Sequence, residues 1–334
     1  MNVIVEDGDG STRTEPASRR LGFAVKIAGR PDLKDHDARR WQNDPHLRVS
    51  IAYLDRIFDY LAEHDIRMYR MSSDVAPYVT HPELPRFHGQ IEACRDELAA
   101  LGDKARRLNL RLSVHPAQYI VLNSPHEPVA TASIRDFVAH AALLDALGAD
   151  FNARIVTHAG GVYGDRQAAA ARFVRRYAQL PEPVRRRLVL ENDEVSWPAT
   201  DILAIHQRTG IPLVFDNLHH AVNNPDGMPA QEALQAFLAT WPDDLTPKIH
   251  VSSQRSAERS VARRDRKTGA RSDVLVAAKP GQHHDWIDVQ EFIALLDGAG
   301  HLRFDVMLEA KQKQLALLRL REELAAAGRA DLAW

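Results

Sequence analysis

The chain has few of the features that mark secreted or membrane-spanning proteins. Its 334 residues contain one cysteine, Cys94, so no intrachain disulfide can form, and we expect a protein of the reducing cytoplasm. No apolar run approaches the roughly 18 residues of a membrane span. Residues 1–19 lack the basic-then-apolar pattern of a signal peptide. We therefore expect a flexible extension over 1–19 and no membrane partner.

The net positive charge typical of nucleic-acid-binding proteins is also missing. Lys and Arg number 43 and Asp and Glu number 45, so the formal net charge is −2. The unusual feature is a content of 16 histidines, because imidazole is the commonest transition-metal ligand. The positions of these histidines therefore carry more information about function than the total charge does.

Strand-like apolar runs alternate with amphipathic helical patterns throughout residues 20–330. No proline- or glycine-rich linker divides this stretch, and eight such units in a chain of this length predict a single (β/α)8 TIM barrel. An open doubly wound sheet is the alternative, but its glycine-rich phosphate turn does not follow the first strand. The predicted strands are 21–27, 67–71, 110–115, 153–158, 187–191, 211–216, 247–252 and 304–309. The predicted helices lie near 51–61, 87–107, 132–147, 165–179, 199–208, 229–239, 286–297 and 311–327.

Six consecutive predicted strands carry or end on a residue type that binds metals. The C-terminal ends of TIM-barrel strands meet at one mouth, where active sites lie. Carboxylates and imidazoles without thiolates suit Mn²⁺, Zn²⁺ or Fe²⁺. Six candidates exceed the needs of one ion and predict a multinuclear site suited to phosphodiester hydrolysis. The six residues are His115, His158, Glu191, Asp216, His250 and Glu309.

Two pairs of neighbouring histidines lie just beyond the sixth and seventh predicted strands. His219 lies three residues after Asp216, near enough to curl back over the mouth, whereas we interpret His220 as an outer or solvent-facing residue. One member of the pair His283 and His284 is expected to reach the site. The residues alone do not decide which member it is.

Lys248 is a cation among these predicted ligands. It lies two residues before His250, so both side chains face the same side of the strand. A lysine that points at divalent ions must be neutral or carboxylated. The alternative is that Lys248 pairs with a carboxylate inside the barrel, and the residues leave both interpretations open.

Short motifs along the chain resemble those of a known family. They are YRMSSD at 69–74, HPAQY at 115–119, THAG at 157–160, LEND at 190–193, FDNLHH at 215–220, KIHVSS at 248–253, HHDW at 283–286 and MLEAK at 307–311. In residue type and order, from about residue 20 to about residue 320, they resemble the UV damage endonuclease family.

This resemblance implies a barrel related to endonuclease IV that holds three divalent ions, usually Mn²⁺, with Zn²⁺ or another divalent ion as the alternative. It implies a DNA-repair hydrolase that acts on damaged double-stranded DNA. Such an enzyme cuts the phosphodiester bond 5′ to UV photoproducts, with abasic sites as further substrates, and leaves 3′-hydroxyl and 5′-phosphate ends. We expect the protein to act as a monomer.

The resemblance also assigns roles to residues. It places Glu191, Lys248 and His250 at the reacting centre, makes Lys248 a carboxylated lysine, and favours His283 over His284. It implies three metal positions, of which the first two share Glu191 as a bridge. The first is held by His115, His158 and Glu191, the second by Glu191, Asp216, His250 and Glu309, and the third by His219 and His283.

Lesion recognition is implied for a second group of residues. Gln118 and Tyr119 match the family's pair that probes the lesion inside the duplex, a step that requires the damaged bases to leave the stack. The family's first strand usually reads Leu-Gly-Tyr and is followed by an Asn. Here Phe23 replaces the Tyr and is expected to stack without a hydroxyl, and Ile27 stands near the position of the Asn. This departure from the family pattern affects which lesions we expect the protein to recognise. It leaves the predicted metal ligands, and therefore the expected hydrolysis, unchanged.

A basic insertion is predicted at 253–280, at the mouth of the barrel. Its segment 253–272 carries seven basic residues against two acidic ones. Local cations suffice for contacts with DNA phosphates even in a near-neutral protein. The expected phosphate contacts are Arg255, Arg263, Arg264 and Arg266.

Two other functions compete with the endonuclease hypothesis. A xylose-isomerase-like sugar isomerase uses the same ligand types, but its sites hold one or two ions and need fewer imidazoles. A damage-binding protein without enzymatic activity has no reason to keep a complete ligand set. The sequence therefore favours the endonuclease.

Overall fold

The described chain forms a TIM barrel, as predicted. A computed structural model describes residues 4–6, 12–14, 19–264, 268–300 and 302–334, with the backbone alone at 4–6, 12–14, 259, 261 and 263. The parallel ladder runs in the order β6-β5-β4-β3-β2-β1-β8-β7, and a parallel bridge between Asp216 and His250 joins its two ends. The barrel strands are β1 (Leu21–Ala24), β2 (Met68–Met71), β3 (Arg111–Val114), β4 (Arg154–His158), β5 (Leu188–Glu191), β6 (Leu213–Val214), β7 (Lys248–Val251) and β8 (Asp305–Leu308).

Helices follow the strands and cover the outside of the barrel. The helix predicted at 87–107 is interrupted at Cys94, whose backbone is not helical (φ −110°, ψ 22°). The helix predicted from 132 begins at Glu127, because Pro128 is suited to a first helical turn. The helices are α1 (Leu47–Glu63), α2 (Gln90–Ala93), α3 (Arg95–Arg107), α4 (Glu127–Ala146), α5 (Arg166–Gln179), α6 (Glu182–Arg185), α7 (Ala199–Thr209), α8 (Asn217–Val222), α9 (Ala230–Leu238), α10 (Val289–Ala299) and α11 (Gln314–Ala326).

The interior of the barrel is layered, because alternate strand residues point inward. At the N-terminal end, buried Arg111 pairs with Asp305 at 2.8 Å. The middle layer is largely apolar and includes Val156, Val189 and Val214, which pack together with Trp241 from the loop before β7. The next inward positions of these strands hold the predicted metal ligands. The same alternation that builds the core therefore brings the ligands to one mouth.

The predicted insertion between β7 and α10 contains a β-hairpin. Arg259–Arg264 pairs antiparallel with Arg271–Val276, so the backbone of Arg259, Arg263, Arg264 and Arg271 lies on a two-stranded ribbon. A second antiparallel pair joins Ile4–Glu6 to Thr12–Thr14, within the predicted extension. Among the residues that the structure describes, no helix has both the length and the hydrophobicity needed to cross a membrane.

Candidate metal centre

Glu191 lies at the middle of the predicted ligands and is almost fully buried. Its Oε2 atom is 3.2 Å from Nε2 of His115 and 3.7 Å from Nε2 of His158. Its Oε1 atom is 2.9 Å from Nδ1 of His250. One carboxylate therefore faces imidazoles contributed by three other strands.

The remaining ligands surround the other side of Glu191. Nδ1 of His250 is 3.2 Å from Oε1 of Glu309. Nδ1 of His219 is 3.5 Å from Oε1 of Glu191 and 3.8 Å from Oδ1 of Asp216. Asp216 also caps helix α8 by accepting a hydrogen bond from the His219 backbone N–H at 2.8 Å. This cap turns the chain so that His219 reaches back over the mouth.

Three groups of side chains place their ligand atoms within 4.8 Å of one another. Oδ2 of Asp216 and Nε2 of His250 are buried and have no hydrogen-bond partner among the described residues. An unpartnered buried polar atom costs free energy, and a bound divalent ion would give both atoms a partner. The donor set therefore fits a metal centre. The three groups are His115, His158 and Glu191; Glu191, Asp216 and His219; and Asp216, His250 and Glu309.

Burial and mutual charge shift the pKa values of these ligands in different directions. Burial, with the charges of Glu191 and Glu309, raises the pKa of Asp216 to about 7. Burial alone would lower the pKa of His219, but Asp216 and the neighbouring carboxylates raise it to about 9. Burial lowers the pKa of His250. At neutral pH, the metal-free site therefore keeps a proton on His219 and a partial proton on Asp216.

Metal binding should release protons at this site. A divalent ion held by these residues would require a neutral His219 and an ionised Asp216, so its binding would displace the protons that the raised pKa values retain. Above pH 7 Asp216 is largely ionised, so the proton displaced between pH 7 and 9 is mainly that of His219, and we expect the affinity for Mn²⁺ to rise by up to about tenfold per pH unit over this range. Calorimetry in buffers of different ionisation enthalpy measures this release. His219→Gln should release about one proton fewer, and a pH-independent affinity without proton release would contradict the expectation.

Lys248 is fully buried, and its Nζ has no hydrogen-bond partner among the described residues. Burial lowers its pKa well below the usual value, and the cations Arg111 and Arg70 act in the same direction. The alternative in which Lys248 pairs with a carboxylate is not observed in the described part of the chain. The lowered pKa favours the neutral amine, which is the form that reacts with carbon dioxide.

His283 and His284 differ in what they contact. Nδ1 of His283 is 3.8 Å from Oε2 of Glu309, so this ring faces the metal centre. Nδ1 of His284 instead accepts a hydrogen bond from the backbone N–H of Trp286 at 3.1 Å. A β-bridge to Gln254 holds the backbone of His283 in place. The geometry therefore favours His283 as the ligand, in line with the motif.

His220 lies one position beyond His219 but does not join the centre. Its Nε2 contacts the carbonyl oxygen of Met228 at 2.9 Å, and its ring packs 5.3 Å from that of Phe215. This agrees with the outer role expected for it.

Two residues of the centre were not singled out from the sequence. Arg70 on β2 forms a hydrogen-bonded ion pair with Glu309. Oε2 of Glu194 is 3.5 Å from Nε2 of His219. Arg70 lies within a recognised motif at a strand end, which was an available signal. Glu194 lies in a loop, where no spacing rule connects it to His219.

A cavity of about 570 Å³ opens above the metal centre. Gln118 lines it, whereas Tyr119, which is 75% exposed, lines a neighbouring cavity of about 530 Å³. Phe23, by contrast, is fully buried and packs edge-to-face against Tyr69 with 5.5 Å between ring centroids. The stacking role expected of Phe23 is inconsistent with this position, because both faces of a barrel strand are covered. We therefore correct that expectation.

The cations of the insertion differ in exposure. Nη2 of Arg255 donates to the carbonyl oxygens of Val276 and Ala277 at 3.3 Å each, so this half-buried side chain braces the base of the hairpin. Arg264 is exposed. The side chain of Arg263 and the whole of Arg266 lie outside the described residues.

Comparisons with known proteins agree with this geometry. The family profile described as UV-endonuclease UvdE matches residues 46–331. A UV DNA damage endonuclease of Bacillus cereus (strain G9842) is 33% identical over 285 residues, which cover 84% of this chain and 82% of that protein. The crystal structure of SacUVDE is 28% identical with a TM-score of 0.78, and covers 93% of this chain and 100% of that chain.

A more distant structure shares the fold alone. Endonuclease IV from Thermus thermophilus is 13% identical with a TM-score of 0.54, over 92% of this chain and 99% of that chain. The family profile, by contrast, spans most of the chain, and a relative above 30% identity does the same. The chain therefore belongs to the UV-endonuclease family.

Proposed function

We propose that this protein is a metal-dependent DNA endonuclease that cuts damaged duplex DNA 5′ to UV photoproducts, with abasic sites as further substrates, leaving 3′-hydroxyl and 5′-phosphate ends. The observation that carries the proposal is the group of acidic and histidine side chains around buried Glu191. Family membership favours this activity over the sugar-isomerase alternative. The complete set of metal ligands likewise disfavours a protein that only binds damaged DNA, because binding alone gives no reason to keep such a set.

Three divalent ions, with Mn²⁺ as the first candidate and Zn²⁺ as the alternative, would share the ligands. When bound, such ions supply Lewis acidity to the phosphoryl group and to the attacking water. Glu191 would bridge two positions and hold them at a fixed separation. The proposed ligands are His115, His158 and Glu191 for the first ion, Glu191, Asp216, His250 and Glu309 for the second, and His219 and His283 for the third.

Neighbouring residues would hold these ligands in place. Arg70 pairs with Glu309 and keeps that carboxylate ionised, since the Arg70 charge lowers the pKa of Glu309 against the effect of burial. Lys248, which is buried and lies two residues before His250 on β7, is proposed to carry a carboxyl group. Such a group would replace an unpartnered amine by an anion that can face the ions and would neutralise part of their charge.

The exposed pair Gln118 and Tyr119 suits lesion recognition. Gln118 offers an amide that can hydrogen-bond to displaced bases, and Tyr119 offers an exposed ring on which a base can stack. With Phe23 buried, we assign lesion probing to Gln118 and Tyr119 without help from β1.

Incision of a defined duplex tests the function. A duplex oligonucleotide with one UV photoproduct and the same duplex without damage are incubated with the protein and Mn²⁺. We expect a single cut 5′ to the lesion and an intact control strand. Equal cutting of both duplexes would contradict lesion specificity, and aldose–ketose conversion without cutting would restore the isomerase alternative.

The hairpin arginines should contribute to DNA affinity through phosphate contacts. We expect Arg263→Gln, Arg264→Gln and Arg266→Gln together to make the slope of log K against log salt shallower by about 0.9 for each phosphate that is no longer neutralised. Binding to damaged and undamaged duplexes should weaken alike, because phosphates carry no lesion information. If DNA affinity and the salt slope were both unchanged, the hairpin would not be part of the DNA-binding surface.

A further inference from the structure

Another cavity, of about 450 Å³, opens beside the metal centre. It lies between the loop that follows β1 and the segment that joins β8 to α11. The cations that line it, which we call the basic pocket, are Lys26, Arg30, Lys34, Lys311 and Lys313. The lining also includes Asp35, whose carboxylate oxygen Oδ2 is within hydrogen-bonding distance of Nδ1 of His36, at 2.7 Å.

Most cations of the basic pocket have no acidic partner. Within the described ranges, Lys26, Lys311 and Lys313 form no ion pair. Lys34 lies over the ring of Tyr53 at 5.6 Å, which leaves its charge uncompensated. Clustered like charges around a concave surface repel one another, so a bound anion would lower the free energy of this region.

Hydrogen bonds within the chain fix the walls of the basic pocket without a ligand. The buried amide of Gln314 accepts a hydrogen bond from the N–H of Ala28 and donates one to the Ala28 carbonyl oxygen, both at 2.7 Å. These two hydrogen bonds lock the β1 loop, which carries Lys26 and Lys34, onto the start of α11. Lys313 precedes Gln314 directly and has a φ of 54°, a left-handed conformation that is strained for lysine. The fold thus holds a half-buried cation in a strained position at the pocket wall.

The basic pocket is continuous with the metal centre. Lys311 lines both cavities and lies two residues after Glu309. In the barrel order β7-β8-β1, the hairpin that follows β7 and the basic pocket at β8 and β1 are neighbours on one rim. Gln118 and Tyr119 follow β3, which is two strands further round the barrel from β1. A duplex probed by Tyr119 would thus meet an arc of positive charge on the other part of the rim.

We propose that the basic pocket binds a backbone phosphate of the DNA, within a few nucleotides of the scissile bond. This inference rests on the proposed function, since it takes DNA as the substrate. A phosphodiester suits the site because it is a permanent anion with several acceptor oxygens, which lysine ammonium groups contact as point charges. The contact fixes the position of the strand relative to the ions and carries no lesion information.

Matched charge variants test the proposal. The pocket variant combines Lys26→Gln, Lys34→Gln and Lys313→Gln. The control combines Arg107→Gln, Arg185→Gln and Arg208→Gln, which are exposed and form no ion pair in the part of the chain that the structure describes. These arginines lie at helix ends that precede β3, β5 and β6, on the opposite face of the barrel. Both variants lose the same net charge.

Binding of a single-lesion duplex is measured at several salt concentrations, with Glu191→Gln in every protein to prevent cutting. The pocket variant should bind about tenfold more weakly near 0.1 M salt, with a slope shallower by about 0.9 because one phosphate fewer is neutralised. The control should bind within about twofold of its parent, because its charges lie far from the DNA and are screened. The exposed pair Lys26→Gln and Lys34→Gln provides a second pocket variant that leaves half-buried Lys313 untouched.

Neutral methylphosphonate substitution then locates the contact. Each phosphate near the scissile bond is replaced in turn. One replacement should weaken binding by the parent and have no effect on the pocket variant. Pocket and control variants that bind alike, or a scan without such a position, would overturn the proposal. The wild type is assayed for cutting in parallel. If the proposed endonuclease function is wrong, the wild type cuts no damaged duplex. If only the pocket proposal is wrong, the wild type cuts the damaged duplex but the pocket variant binds it as tightly as the control does.

Discussion

Glu191→Gln lowers incision of a damaged duplex by more than about 100-fold, because even residues that only support metal ligands cost 10- to 100-fold. The amide has one acceptor oxygen and no charge, so it cannot bridge two ions. Glu191 is buried beneath its imidazole partners, so DNA affinity should change by less than about threefold. Single-turnover cleavage and binding titrations measure the two effects separately.

Glu194→Gln is the matched control for this prediction. Glu194 also lies near His219 but is about one-third exposed and contacts a single imidazole. Its loss removes the same charge from the mouth and should cost less than about tenfold, since it lies outside the bridging position. Equal losses from both variants would mean that negative charge, not bridging, is what the site requires.

Tyr119→Ala lowers the preference for damaged over undamaged duplex by about 10- to 100-fold, since stacking of one base on an aromatic ring contributes about 1–3 kcal/mol. The ring is 75% exposed, so its removal leaves no cavity in the core. Metal content and thermal stability should therefore match the wild type. The measurement is the ratio of cleavage rates on the two duplexes.

Tyr163→Ala is the control for loss of an exposed aromatic ring. Tyr163 follows β4 at the same face of the barrel and is 46% exposed. It should leave the preference within about twofold, because surface substitutions away from a site have small effects. A Tyr119→Ala protein that still prefers damaged DNA as strongly as the wild type would assign lesion recognition to other residues.

The sequence predicted the metal centre better than the details around it. Strand alternation and the common mouth of a TIM barrel were enough to group Glu191 with His115 and His250. The motif position of Phe23 suggested an accessible ring, but a side chain within a barrel strand is covered on either face of the sheet, so the predicted barrel already implied that Phe23 is buried. A sequence interpretation took Phe23 as a lesion contact, whereas the fold uses it as core.

Contacts between residues that are far apart in the sequence could not be predicted either. The hydrogen bonds between Ala28 and Gln314 connect the loop after β1 to the start of α11, and no local pattern encodes them. The pairing of Arg70 with Glu309 depends in the same way on β1 lying between β2 and β8. Local periodicity was therefore enough to predict the strands, whereas the contacts across the mouth could be identified only from the closed barrel.

Stepwise metal loading tests the central claim most directly. Metal-free protein is titrated with Mn²⁺ on a duplex with a single photoproduct, while bound metal is counted and the ends of the products are mapped. The account predicts no incision without metal and full activity at about three ions per chain. It also predicts a 3′-hydroxyl and a 5′-phosphate at the bond 5′ to the lesion. Incision by the metal-free protein in the presence of chelator would contradict the account.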